Sequence, residues 1–127
     1  EKTFLAAIGL ATAPFAPVAT AADLDAALAR IGCPAILKTA RMGYDGKGQA
    51  QIVSPADAPA ALAAMAGAPA VLEGFVTFER EISVIAARGL SGQIAAYDPG
   101  ENLHEAGILR TTTVPARLTA GRRSDAV

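Results

Sequence analysis

An α+β fold is what the sequence predicts, and three observations predict it. Two helix-start signatures, Thr20-x-x-Asp23 and Ser54-Pro55-Ala56-Asp57, open stretches with apolar residues at helical spacing. Short apolar runs bounded by glycine and proline alternate with those helices, in the manner of strands. Beyond Gly74 the helix signals give way to strands and turns. Residues 1–74 therefore read β-α-β-β-α-β, a small two-layer lobe, and residues 75–127 read as an antiparallel sheet lobe that is incomplete as it stands.

In order along the chain, Phe4, Leu5 and Ile8 share one face of a short helix that Gly9 can end. Ala13-Pro14-Phe15-Ala16-Pro17-Val18 is an extended strand, since each proline biases its neighbour away from helix. Leu24, Leu28 and Ile31 follow the first capping box, and Gly32 and Pro34 stop that helix. Ala35 to Thr39 is the next strand, with Gln51-Ile52-Val53 as its return. In the second helix Ser54 caps, Pro55 takes the first position and Asp57 the third. Leu62 and Met65 face inward there, Gly67 and Pro69 end it, and Ala70 to Glu73 is a strand.

The second half is expected to be an antiparallel meander. Glu79 to Arg88 reads as one long strand, and Gly89, Ser91 and Gly92 turn it into Gln93 to Tyr97. Asp98-Pro99-Gly100 reads as a loop, Ile108 to Val114 as a third strand, and Ser124 as a helix cap. A sheet of this kind has an apolar face in need of a partner, which predicts self-association or marginal stability.

Composition narrows the function. With 52% hydrophobic and 18% charged residues the chain is a folded protein. Eleven basic against twelve acidic residues leave a net charge of −1, which argues against a general nucleic-acid or anionic-membrane binder. The single cysteine, Cys33, excludes an internal disulfide or a Cys-based zinc cluster, and the single histidine, His104, excludes a histidine-rich metal centre. No run approaches the ~18 uninterrupted apolar residues of a membrane span. The first residues lack the basic start and apolar run of a signal peptide, so a cytoplasmic protein is expected.

The stretch Gly43-Tyr44-Asp45-Gly46-Lys47-Gly48-Gln49, set between two strands, is the most suggestive one. Glycines let the backbone approach a ligand, and successive N–H groups in such a turn form an anion-binding concavity. Lys47 adds a cation at the tip and Lys38 another on the entering strand, a pattern suited to a polyphosphate. Asp-Gly among glycines is equally the mark of an ordinary hairpin turn. The stretch is neither a Walker A loop nor a Gly-x-Gly-x-x-Gly fingerprint.

Three stretches together resemble the ATP-grasp superfamily, and within it the 5-(carboxyamino)imidazole ribonucleotide synthases of purine biosynthesis. They are Leu37-Lys38 through Gln49, Leu72-Glu73-Gly74-Phe75-Val76 through Ser83, and Glu101-Asn102-Leu103-His104 through Leu109. The resemblance implies an ATP-dependent ligase: ATP and bicarbonate give carboxyphosphate, and the exocyclic amine of aminoimidazole ribonucleotide takes up the carboxyl group. It implies that Lys38 meets the phosphates and that Gly43, Tyr44, Asp45, Gly46, Lys47, Gly48 and Gln49 fold over them. Glu73, Gly74, Phe75 and Val76 would form the hinge that receives adenine, walled by Leu37, Phe75 and Val76. Glu81 would accept from the ribose hydroxyls, as a carboxylate's two oxygens suit it to do, and His104 would lie near the phosphates.

The same resemblance implies magnesium held by acidic residues outside this chain, a substrate lobe also outside it, and a homodimeric whole enzyme. The chain then reads as a central piece, inactive alone, with no catalytic residue and no metal ligand assigned to it. Other readings are another ATP-grasp carboxylate–amine ligase, or a non-catalytic α+β binding module whose loop is only a hairpin. On the residues alone, Glu73, Glu79 and Glu81 also suit solvated strand ends paired with Arg80, Arg88 or Arg110, and His104 also suits a loop histidine.

Overall fold

The computed structural model describes residues 1–41, 48–105 and 108–127. The predicted loop contacts Gly43, Tyr44, Asp45, Gly46 and Lys47 lie outside the described residues, as does Gly107. Internal packing divides the chain into two units, Glu1–Thr77 and Phe78–Val127.

The first unit is α+β. It runs α1 (Lys2–Ala7), β1 (Phe15–Val18), α2 (Ala21–Ile31), β2 (Ala35–Thr39), β3 (Gln49–Ile52), a 3₁₀ turn (Pro55–Asp57), α3 (Ala58–Ala64) and β4 (Ala70–Gly74). The four strands form one antiparallel sheet in the order β1-β4-β2-β3. Strand residues alternate faces, so Ala16, Val18, Ala35, Leu37, Ile52, Ala70 and Leu72 turn toward α2 and α3 and are buried. Leu24, Ala27 and Leu28 of α2 and Ala58, Ala61 and Met65 close the core from the helix side. Six of these thirteen buried residues are alanines, which let helix and sheet approach closely. Leu24, Leu37, Ile52 and Leu72 are the large side chains fully withdrawn from water, each contributing about 1.5–3 kcal/mol by burial.

Both helix starts form as the sequence dictates. The Asp23 carboxylate accepts from the N–H groups of Ala19 (3.1 Å) and Thr20 (2.9 Å), and the Asp23 N–H donates to Thr20 Oγ1 (3.2 Å). The Asp57 carboxylate accepts from the N–H groups of Ser54 (2.8 Å) and Val53 (3.0 Å). That last bond explains why β3 ends at Ile52 and not at Val53: the Val53 N–H is taken by the cap, and its side chain is exposed.

The second unit departs further from expectation. It contains β5 (Glu81–Ser83), β6 (Ala86–Arg88), β7 (Ile94–Ala96), β8 (Gly100–Glu105), β9 (Ile108–Thr113) and α4 (Ala120–Ala126). The long strand expected over Glu79–Arg88 is two strands in two sheets. β5 pairs with β8, whereas β6 pairs with β7 in a separate ribbon that the Tyr97 N–H extends by donating to the Ile85 carbonyl. The Asp98-Pro99-Gly100 loop ends earlier than expected, because Gly100 already opens β8, the strand inserted between β5 and β9. The expected single meander is therefore a three-stranded sheet, β5-β8-β9, beside a two-stranded one. Ser124 lies inside α4; the cap is Thr119, whose Oγ1 accepts from the Arg122 N–H (3.3 Å).

Among the described residues of this unit only Pro99, Gly100 and Ala116 are buried. Phe78, Ile85, Leu90, Ile94, Tyr97, Leu103, Ile108, Leu109 and Val114 are exposed. Among the described residues, no helix is long and apolar enough to cross a membrane.

The two capping carboxylates make stability depend on pH. The Thr20 hydroxyl, then the backbone N–H groups of Ala19 and Thr20, hold Asp23 below its ordinary value. The Ser54 N–H does the same for Asp57 against a smaller opposing effect of burial, aided by the Val53 N–H and the Ser54 hydroxyl. A lowered folded-state pKa stabilises the fold above the unfolded value, about pH 4, and that contribution is lost as pH falls through the folded value. Denaturant midpoints measured from pH 7 downward are expected to fall less steeply in an Asp23→Ala/Asp57→Ala double variant than in the parent. Superimposable acid slopes would refute this role.

Candidate functional site

Strand parity decides what β2 offers a ligand. Leu37 points into the core and is fully buried, so it cannot wall an adenine pocket as expected from the sequence. Its neighbour Lys38 points the other way, to the sheet face turned from α2 and α3. There Lys38 Nζ lies 3.1 Å from Glu73 Oε2, while Lys2 Nζ, brought by α1, lies 3.3 Å from Glu73 Oε1. The Glu73 side chain is 15% exposed and Lys38 38%. One carboxylate shared by two ammonium groups leaves the cluster one positive charge in excess. An anion arriving at Lys38 therefore meets a net cation whose partner is already satisfied from a second side.

The foot of the glycine loop is attached directly to this cluster. Lys38 is the cross-strand partner of Gln49, and the Thr39 N–H donates to the Gly48 carbonyl at 2.8 Å. Gly48 has φ +73°, and a Cβ there would stand 2.8 Å from Thr39 Oγ1. Glycine is required twice at this position, for the backbone angle and for the close approach.

In the stretch Glu73–Val76, the Gly74 N–H donates to the Pro14 carbonyl (2.8 Å) and the Phe75 N–H to the Pro34 carbonyl (3.1 Å). Those two donors are committed to the fold. Among the described residues the Val76 N–H has no acceptor, which leaves that donor to pair with a flat heterocycle. Phe75 and Val76 present exposed side chains beside it.

In the second unit, Glu81 and His104 meet. His104 Nδ1 is 3.5 Å from Glu81 Oε1, and Asn102 Nδ2 donates to the same oxygen at 3.2 Å. Four other acids of the unit pair with arginines: Glu101 with Arg80 (3.3 Å), Glu105 with Arg110 (3.0 Å), Glu79 with Arg122 (3.3 Å) and Asp98 with Arg123 (3.7 Å). A cavity of about 820 Å³ bounded by Tyr97, Asp98, Leu118 and Arg123 contains none of the expected site residues, and no role follows from it. Among the described residues, no three His, Cys, Asp or Glu side chains are grouped to hold a metal ion.

Sequence reasoning missed Lys2, which no local signal ties to Glu73. Asn102 lies inside the Glu101–Leu109 motif, where no local signal gives it a task.

The family model for the ATP-grasp domain matches residues 3–127. The N5-carboxyaminoimidazole ribonucleotide synthase of Brucella melitensis is 52% identical over 121 residues, covering 94% of this chain and 33% of that protein. The crystal structure of N5-carboxyaminoimidazole ribonucleotide synthetase from Thermus thermophilus superposes with a TM-score of 0.88 at 42% identity, over 98% of this chain and 33% of that one. The Staphylococcus aureus N5-carboxyaminoimidazole synthetase complexed with ADP gives 0.91 at 34% identity, over 98% and 34%. The chain thus spans about a third of the length of the relatives it matches.

The two demands on Gly48 can be separated from ordinary glycine strain. Gly48→Ala is expected to cost about 2–3 kcal/mol, against about 1 kcal/mol for Gly92→Ala, where φ is +86° but nothing lies within 4 Å of the added Cβ. Equal shifts in denaturant midpoint would show that the Thr39 contact adds nothing.

Proposed function

This chain belongs to the ATP-grasp family, and from that premise we propose that it is the ATP-binding part of a ligase that carboxylates 5-aminoimidazole ribonucleotide. The reaction transfers the γ-phosphoryl group of ATP to bicarbonate, giving ADP and carboxyphosphate. The exocyclic amine then attacks the carboxyl carbon, inorganic phosphate leaves, and 5-(carboxyamino)imidazole ribonucleotide forms. The observation that carries the reading is the Lys38–Glu73–Lys2 cluster at the foot of the glycine loop, with its excess positive charge.

Phosphoryl transfer depends mostly on positioning and on neutralising charge. Lys38 supplies a cation already aligned by Glu73, and the Gly43–Gln49 stretch, by the family resemblance, supplies backbone donors to the phosphates. The carbonyls of Glu73–Val76 and the Val76 N–H take the adenine edge, between Phe75 and Val76. Glu81 accepts from the ribose hydroxyls, and His104, beside it, is a further nucleotide contact by the family resemblance. The family implies magnesium; among the described residues no three His, Cys, Asp or Glu side chains are grouped to hold it. The reading extends to bicarbonate as the carboxyl source, to a homodimeric whole enzyme and to a cytoplasmic setting, which a lone free thiol at Cys33 suits.

The test is a titration with ATP, with and without magnesium, following the amide signals of Gly48, Gln49, Glu73–Val76 and Glu81. Shifts are expected in all three stretches. Lys38→Ala is expected to weaken binding about tenfold, the value of one charge-assisted contact. Arg122→Ala should leave affinity unchanged, because its pair with Glu79 is exposed on both sides. Silence at millimolar ATP, or equal losses in the two variants, would overturn the assignment and favour a hairpin in a binding module.

A further inference from the structure

Glu81, Asn102 and Thr112 stand in one cross-strand row. Glu81 is paired with Asn102 across β5 and β8, and Asn102 with Thr112 across β8 and β9. Residues paired in register present their side chains on the same face, within reach of each other. The row is joined by hydrogen bonds along its whole length. Asn102 Nδ2 donates to Glu81 Oε1 (3.2 Å), and Asn102 Oδ1 accepts from Thr112 Oγ1 (2.9 Å) and Ser83 Oγ (3.4 Å).

The direction of these bonds is fixed by chemistry. An ionised carboxylate only accepts, so the NH₂ side of the Asn102 amide must face Glu81. Its carbonyl side then faces the two hydroxyls, which must donate. Thr112 therefore sets the plane of the amide, and the amide sets the carboxylate. Gly100 makes room for this: a Cβ on it would lie 2.5 Å from Thr112 Cγ2. The Asn102 and His104 contacts both fall on Oε1, and among the described residues no donor reaches Oε2. Glu81 is held from one side and open on the other, with a side chain 44% exposed. A flexible acid in that setting would otherwise sample several rotamers, and ordering it on binding would cost affinity.

We infer that Asn102, oriented by Thr112, is a positioning residue that presents the Glu81 carboxylate to a vicinal diol, and so sets selectivity for a ribonucleotide over a deoxyribonucleotide. The inference rests on the reading of Glu81 as the ribose contact. It assigns the selectivity to a residue that touches Glu81 and need not touch the nucleotide.

The experiment measures Kd for ATP, 2′-deoxy-ATP and 3′-deoxy-ATP on the full chain and on Asn102→Leu, Thr112→Val, Thr112→Ser and Glu81→Ala. The parent is expected to prefer ATP over the deoxy forms by about tenfold, the value of a hydrogen bond to a charged acceptor. Asn102→Leu should lose most of that preference by weakening ATP alone, with deoxy-ATP binding unchanged. Thr112→Val should lose about half of it on a logarithmic scale, and Thr112→Ser, which keeps the hydroxyl, should restore it. Thr112 is exposed, so this pair probes the row without risk to the fold. A preference abolished by Glu81→Ala but intact in Asn102→Leu and Thr112→Val would overturn the positioning role alone. A parent that binds ATP and the deoxy forms equally would overturn the Glu81 assignment, and the inference with it. Losses equal for all three nucleotides in Asn102→Leu would make Asn102 merely structural.

Discussion

The first unit depends on one constraint, that β2 has both edges paired and both faces in use. Bonded to β4 on one side and β3 on the other, the strand can slip neither way without moving its whole apolar set to the wrong face. Leu37 locks that register from the core. Lys38 inherits its position from the lock, and with it the distance to Glu73 on the adjoining strand. The cation is held in place by the burial of its neighbour more than by its own contacts, an economical way to keep a long, entropy-rich side chain aimed at one spot.

What was legible in the sequence was what is local. The two capping boxes, the glycine stops and the succession of strands in the first unit need only a few neighbouring residues each, and they formed as read. The α+β class followed from them. The error at Leu37 was avoidable, because adjacent strand residues cannot both serve the same face. The errors in the second unit were harder to avoid. No glycine or proline interrupts Glu79–Arg88, yet the chain changes pairing partner at Val84-Ile85, a decision taken by distant strands. β8 carries a single large apolar residue, Leu103, because neither of its faces is buried, so it read as a loop motif and not as a strand. A register shift between Leu103 and His104 blurs the alternation of β9 as well. Thr119 was overlooked as a cap because it lacks an acid three residues later.

The site was legible in a different way. The resemblance named residues that physical reading alone left between function and solvation, and the geometry grouped them: Lys38 with Glu73, and Glu81 with His104. The supporting residues were not visible beforehand. Lys2 matters through Glu73, far away in sequence, and Thr112 through Asn102 across a strand pair whose register the sequence does not reveal. The two units also differ in what makes them specific. The first relies on a buried apolar layer; the second, with three buried residues among those described, carries a hydrogen-bonded polar row across β5, β8 and β9.

Gly100 illustrates what such a row entails for the residues around it. By its place after Asp98-Pro99 it looks like a turn residue that many substitutions would suit. Its missing side chain is in fact the space occupied by the Thr112 methyl group, on the neighbouring strand β9. A larger residue at position 100 would meet that methyl group unless the side chain at position 112 were smaller or turned away, and either change would loosen the hold on Asn102. The residue tolerated at position 100 is thus set by the one at position 112, and not by the turn chemistry of its own neighbours.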